Sequence, residues 1–261
     1  MPRKPDHASA CGYLSRVDRR LARMIQRSGE CRLQPESTQN IFEALMEAII
    51  YQQLNGKVAA TITERVKALF PENKRRLRTR RGLVNGFPTP EQILAVSEEQ
   101  LRSAGLSRAK MLAIRDLAAK TIDGTVPSVK QAHRMSDEEL IQRIDAVRGI
   151  GRWTVEMLLL FRLGRPDVLP ADDYGVRKGF AKLYKLAELP KPKELLAYGE
   201  RWRPYRSVAS WYLWRAAEMR GLPMAGETTR GGVSRKKKPT TMEKLGKSAP
   251  KVTPRKARSK N

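Results

Sequence analysis

Two neighbouring acids, Asp172 and Asp173, stand in the run Leu169-Pro170-Ala171-Asp172-Asp173-Tyr174. The proline and the paired acids read as a loop ending in a helix start. One acid at such a place is ordinarily an N-cap, worth about 1 kcal/mol. Two in succession allow a division of labour, with Asp172 capping or bracing and Asp173 projecting from the first turn. A helix N-terminus favours the ionised form of a carboxylate. A fixed anion of this kind can stabilise a developing cation and orient or deprotonate an attacking water. Twenty residues upstream of Asp173 is Trp153, which directly follows Gly149-Ile150-Gly151-Arg152. Glycines two apart let the backbone turn tightly and bring bare N–H groups close to a ligand. A helix leaving from Arg152 adds a positive dipole end and unpaired donors that suit a phosphate. Ile150 can plug the space between the flanking helices. Such a Gly-x-Gly is also an ordinary turn between helices, so the motif alone leaves both readings open.

The elements that must hold these residues are helical. A helix from Ser136 to Val147 enters the hairpin, a second runs from Arg152 toward Leu163, and a third follows Asp173 to about Leu186. Ile41, Leu45 and Ile49, with Phe42, Met46 and Ile50, recur at helical spacing and form a wide apolar face. Thr89-Pro90-Glu91-Gln92, Ser97-Glu98-Glu99-Gln100 and Ser136-Asp137-Glu138-Glu139 are capping boxes. Ser107 caps a helix through Asp123, which Gly124 closes. No period-two alternation is long enough for a sheet, so the fold class is all-α. Trp202, Tyr205, Trp211, Tyr212 and Trp214 cluster and read mainly as core; on a helix from Ser207 to Met219, Tyr212 points off the face shared by Trp211 and Trp214. His7 and His133 read as isolated surface residues, and Met24, Met46, Met111, Met157 and Met219 as core filler.

Charge points to a partner. Lys and Arg total 52 against 27 Asp and Glu, a net +25, which attracts polyanions; nucleic acid comes first, although membrane-surface and ribosome-associated proteins share this balance. No stretch approaches the roughly 18 apolar residues of a membrane span. Met1 to Ala10 carries no apolar block behind Arg3 and Lys4, so secretion is not expected. Cys11 and Cys31 read as ordinary thiols in a reducing compartment. Lys74 to Arg81 (KRRLRTRR) reads as a basic loop, either a solvated run or a DNA contact. From Gly226 the apolar periodicity stops, and the tail, with 12 basic residues and 2 acids, is disordered by composition. The expected organisation is an N-terminal arm (1–11), a helical domain (12–225) and a basic tail (226–261).

The combination of Gly149-Ile150-Gly151-Arg152-Trp153-Thr154, Leu169 to Tyr174 and Trp202-Arg203-Pro204-Tyr205-Arg206-Ser207 through Trp214 resembles the helix-hairpin-helix (HhH-GPD) DNA glycosylase superfamily. Within it the chain looks like the DNA-3-methyladenine glycosylase II branch. Ile49 to Gln53 with Ala59-Ala60, and Ala104 to Lys110, support the match in family order. The resemblance implies two helical lobes with the active site in the cleft between them. It makes Asp173, and not Asp172, the catalytic aspartate. It places Trp153 and Trp214 in the base pocket, with Tyr51 beside them. Gln53 or Leu54 matches the wedge that fills the gap left by a flipped base, although Tyr51-Gln52-Gln53 also reads as the end of a buried helix. Arg148, Gly149, Ile150, Gly151 and Thr154 fall in the DNA-gripping hairpin. The carbonyls of Asp145, Val147 and Gly149 match the site of a structural Na+ or K+, where the family has one; no other cofactor is expected.

Departures narrow the expectation. The endonuclease III branch carries a lysine nucleophile where Trp153 stands, and ends in a four-cysteine iron–sulfur loop; residues 190–261 contain no cysteine. A monofunctional enzyme without lyase activity is therefore expected, in the compact form without an extra N-terminal lobe. Its partner is double-stranded DNA containing damaged bases; it is expected to be a monomer with no membrane contact, cytoplasmic at a bacterial nucleoid or nuclear in a eukaryote. Two alternatives stay open: a non-catalytic DNA-binding scaffold, and a glycosylase for oxidised or mismatched bases.

Overall fold

The computed structural model describes residues 6–36, 40–76, 83–219 and 224. In chain order the helices are α1 (His7–Val17), α2 (Arg19–Ser28), α3 (Ile41–Tyr51), α4 (Gly56–Ala68), α5 (Pro90–Ala95), α6 (Glu98–Ser103), α7 (Arg108–Ile122), α8 (Val129–Ala132), α9 (Asp137–Asp145), α10 (Arg152–Phe161), α11 (Tyr174–Tyr184), α12 (Pro192–Gly199) and α13 (Arg206–Glu218). One 3-10 turn, Glu200–Trp202, follows α12. The capping residues read from sequence start their helices as expected: Thr89, Ser97 and Ser136 close full capping boxes, and Ser107 accepts from the N–H of Lys110.

The helices form two groups around one continuous apolar core. Helices α3 to α7 pack on one another, with α9 joined to them through α10, while α1 and α2 pack with α11, α13 and the 3-10 turn. Helix α10 touches α9 and α3 and presents its other side to α11 and α13. Chain ends and chain middle thus build separate lobes. Asp18, the buried N-cap of α2, locks the terminal lobe: its Oδ1 accepts the N–H groups of Arg20 and Leu21. Its Oδ2 accepts Trp202 Nε1–H at 3.0 Å and the hydroxyls of Tyr198 and Tyr184. A buried carboxylate is tolerable only when satisfied in this way.

Helices α11 and α13 cross at a close approach that needs Gly179. A Cβ there would fall 1.8 Å from the carbonyl oxygen of Leu213, so only glycine admits the crossing. Trp214, the next residue, is thereby brought to the start of α11.

Several expectations are corrected. The 74–81 run is not simply a loop: Lys74–Arg76 pairs antiparallel with Leu83–Asn85, and residues 77–82 lie outside the described set. Three residues per strand are too few to show a period of two. The N-terminal arm is shorter than 1–11, because α1 begins at His7 and buries Ala10. His7 is half-buried, with Nδ1 3.0 Å from the Cys31 carbonyl oxygen and Nε2 buried without a partner among the described residues. Tyr212, expected off the face shared by Trp211 and Trp214, is fully buried all the same, because α13 is covered nearly all round. The tail 226–261 falls outside the described residues.

Candidate active site

Asp173 sits at the N-terminus of α11 and does what the sequence had suggested for Asp172: it is the N-cap, its Oδ1 accepting the Val176 N–H at 2.8 Å. The proposed division between the two acids is therefore wrong in its local form. Asp172 is exposed, and Asp173 is buried. Two indoles complete the arrangement. Trp214 Nε1–H donates to Asp173 Oδ1 at 2.7 Å, and Trp153 Nε1–H donates to Oδ2 at 2.9 Å. Charge-assisted bonds of this length are roughly twice as strong as neutral ones. Both carboxylate oxygens are fixed, one from α13 and one from α10.

The preceding loop is held as firmly. Asp167 accepts Arg203 Nη1–H at 2.7 Å and Arg206 Nε–H at 2.8 Å. Ser207 Oγ accepts the Val168 N–H and donates to the Arg165 carbonyl. These bonds fix residues 165–168, and Leu169 and Ala171 are buried beyond them.

The two tryptophans differ. Trp214 is 6% exposed and stacks on Phe161, ring centroids 5.7 Å apart. Trp153 is 42% exposed, so it stands open to solvent where its indole meets the carboxylate. Tyr51, at the end of α3, is half-buried, and burial pushes its phenol above the ordinary value. The structure joins Asp173, Trp153 and Trp214 by hydrogen bonds and gives Tyr51 no such link to them among the described residues.

The hairpin residues 146–151 join α9 to α10. Gly149 adopts φ +74, which favours glycine. Gly151 is extended, and a Cβ there would meet nothing closer than 3.9 Å, so the folded chain by itself does not demand glycine. Bare backbone at this point leaves room for a ligand. Among the described residues no side chain caps α10, so its first N–H groups keep donors to offer. Ile150 is buried between the helices and Thr154 lies in the first turn of α10. Arg148 keeps an exposed side chain, while its N–H donates to Asp116 Oδ2 at 2.7 Å. Opposite the hairpin, Gln53 is exposed in the left-handed region at φ +58, and Leu54 packs partly on the core.

The three carbonyls named for a cation are not a free set. Gly149 O accepts the Gln52 amide at 3.0 Å and Val147 O accepts the Ile150 N–H at 3.0 Å. An ion would have to share or displace these donors. Among the described residues no group of three or more His, Cys, Asp or Glu side chains could hold a metal.

One site residue escaped the sequence. Glu156, on α10 one turn beyond Trp153, is buried, and its Oε1 accepts Arg152 Nε–H at 3.2 Å. Burial foremost, with the nearby charges of Asp172 and Asp173, raises its carboxyl to about 7 against the pull of Arg152. Arg152 also forms a two-bond pair with exposed Glu138. Nothing in the sequence pattern separates this buried glutamate from a solvated one.

Residues 46–204 match the family model described as HhH-GPD superfamily base excision DNA repair protein. DNA-3-methyladenine glycosylase 1 of Schizosaccharomyces pombe is 36% identical over 79% of this chain and 86% of its own length. DNA-3-methyladenine glycosylase 2 of Escherichia coli is 30% identical over 66% of this chain and 56% of its own. Among solved structures, the 3-methyladenine DNA glycosylase of S. pombe in complex with abasic DNA superposes with a TM-score of 0.66 at 35% identity, over 81% of this chain and 98% of that one. With the hairpin, the two lobes and the aspartate between two indoles all in place, the chain belongs to the HhH-GPD superfamily of base excision DNA repair proteins.

Proposed function

We propose that the protein is a monofunctional DNA glycosylase that hydrolyses the N-glycosidic bond of alkylated bases, of the 3-methyladenine and 7-methylguanine type, in duplex DNA. This is the first step of base-excision repair. The observation that carries the reading is the Asp173 carboxylate, pinned by Trp153, Trp214 and Val176, with Trp153 itself exposed. A purely DNA-binding scaffold has no use for a fixed anion that repels phosphate. The S. pombe relative, named a DNA-3-methyladenine glycosylase and solved in complex with abasic DNA, supports the same substrate class.

The steps follow from the geometry. The N–H groups at the start of α10 and the bare backbone of Gly149 and Gly151 grip phosphate, which positions the duplex without reading sequence. Gln53, the exposed residue of the turn after α3, is the wedge that fills the gap behind a rotated-out base. The base stacks on a ring face of Trp153. A cationic alkylated purine gains roughly 0.5–2 kcal/mol from such a face and is already a good leaving group. Asp173 then stabilises the sugar cation and orients the water. Trp153 occupies the place of the lysine nucleophile of the bifunctional branch, so no Schiff base forms. No cofactor is needed and no step passes through a hairpin cation. Among the described residues no helix is long and apolar enough to cross a membrane. The enzyme acts as a monomer at the nucleoid or in the nucleus.

The test is a panel of duplexes, each with one lesion, assayed for released base without metal or nucleotide. Release of 3-methyladenine or 7-methylguanine is expected. Release confined to oxidised or mismatched bases would overturn the substrate assignment.

A further inference from the structure

One face of α7 touches both loops assigned to DNA. Lys110, Ala113, Asp116 and Lys120 recur at intervals of three, three and four and so share that face. At its N-terminal end, Lys110 Nζ donates to the carbonyl oxygens of Ile50 at 2.7 Å and Gln52 at 2.8 Å. Ile50 lies in the last turn of α3, whose carbonyls have no partner within their own helix. A cation in the first turn of α7 opposes the dipole of α7 itself. Lys110 is compensated by the carbonyl end of α3. At the other end, Lys120 Nζ donates to the Ala146 carbonyl at 2.6 Å and to Asp116 Oδ2 at 2.8 Å. Asp116 Oδ2 also accepts the Arg148 N–H. Between them, Ala113 Cβ lies 3.5 Å from where a side chain on Gly149 would begin. Gln52 closes the circuit by donating to Gly149 O at 3.0 Å.

We infer that α7 is a strut that fixes the wedge turn and the phosphate-gripping hairpin to one another, with Lys110 and Asp116 as positioning residues. Grip on the backbone and filling of the gap are then one event. Gln53 supports this, because a non-glycine residue holds a left-handed conformation only where its surroundings impose it. Burial holds the Lys110 ammonium below its ordinary value, so the charge is the costlier form there and depends on the two carbonyls it donates to. The inference rests on the proposed function for the roles of the two loops. Its test is a binding measurement, independent of base release.

The experiment compares affinity for a duplex carrying a tetrahydrofuran abasic analogue with affinity for the same undamaged duplex. Undamaged DNA needs phosphate contacts alone, whereas the abasic duplex also rewards an inserted wedge. Lys110→Met and Asp116→Leu are each expected to reduce the preference for the abasic duplex about tenfold, a size common for coupled networks. Affinity for undamaged duplex should stay within about threefold, since no exposed phosphate-facing cation is removed. The double variant should lose no more than the worse single one, because a strut cut once is cut. Gln52→Leu, a half-buried change that leaves both helices intact, should reproduce the loss if either α7 variant fails to fold. Unchanged preference in these variants, or losses that multiply in the double one, would overturn the strut. A wild-type chain that prefers abasic duplex yet releases no base would leave the strut standing and overturn the proposed reaction.

Discussion

Replacing Glu156 by Gln tests whether burial or ion pairing governs the acid beneath the site. Its carboxyl is raised from 4.5 to about 7. The native state therefore binds this proton more tightly than the unfolded chain does, and deprotonation works against folding. Below about pH 4.5 the group is protonated in both states and costs nothing. As pH rises through the window from about 4.5 to about 7 the cost accumulates, and above it the cost is constant. A shift of this size at 1.36 kcal/mol per unit amounts to about 3 kcal/mol. The amide of Gln still accepts from Arg152 and carries no charge. Glu156→Gln should thus match the wild type in Tm near pH 4.5 and gain steadily to about pH 8. In a protein of this size the gain is roughly 6–12 °C at the plateau. Thermal unfolding by circular dichroism across that range checks it. A pH-independent difference, or a less stable variant at pH 8, would show that the Arg152 pair outweighs desolvation and would refute the reasoning.

Gly175 faces Trp214 and Asp173: a Cβ there would lie 2.8 Å from Trp214 Cδ1 and 3.0 Å from Asp173 Oδ1. Gly175→Ala should therefore push the indole off the carboxylate and slow single-turnover excision about 10- to 100-fold, with undamaged-duplex binding unchanged; an unaltered rate would show that the contact is slack. Borohydride added during turnover should trap no protein–DNA adduct, and a trapped band would place the enzyme in the lyase branch with another lysine as nucleophile.

Helix starts were legible because capping is local: Thr89, Ser97, Ser107 and Ser136 each act within three residues of themselves. The pairing of Asp173 with Trp153 and Trp214 was approachable only through the family resemblance, since it spans 20 and 41 positions and depends on a crossing at Gly179. Even then the details shifted. Asp173 proved to be the cap, because an N-cap oxygen can take a backbone N–H and still accept an indole. Asp116 and Glu156 carried no readable signal, and Lys110 and Gln52 entered only as members of stretches that resemble the family, with no role of their own. Their types are those of an ordinary solvated surface, and their partners are mostly backbone atoms far along the chain. The strands at 74–76 and 83–85 were missed because three residues cannot display a period.

The most direct test of the central claim compares Asp173→Asn with Asp172→Asn in single-turnover release of 3-methyladenine from duplex DNA. Asn caps helices as well as Asp does, so α11 should keep its start and abasic-duplex binding should persist. Loss of the fixed charge should cut the rate at least about 100-fold, while Asp172→Asn, at an exposed side chain, should stay within about threefold of the wild type. Equal loss in both variants, or a greater loss at Asp172, would contradict the assignment of Asp173 as the catalytic carboxylate.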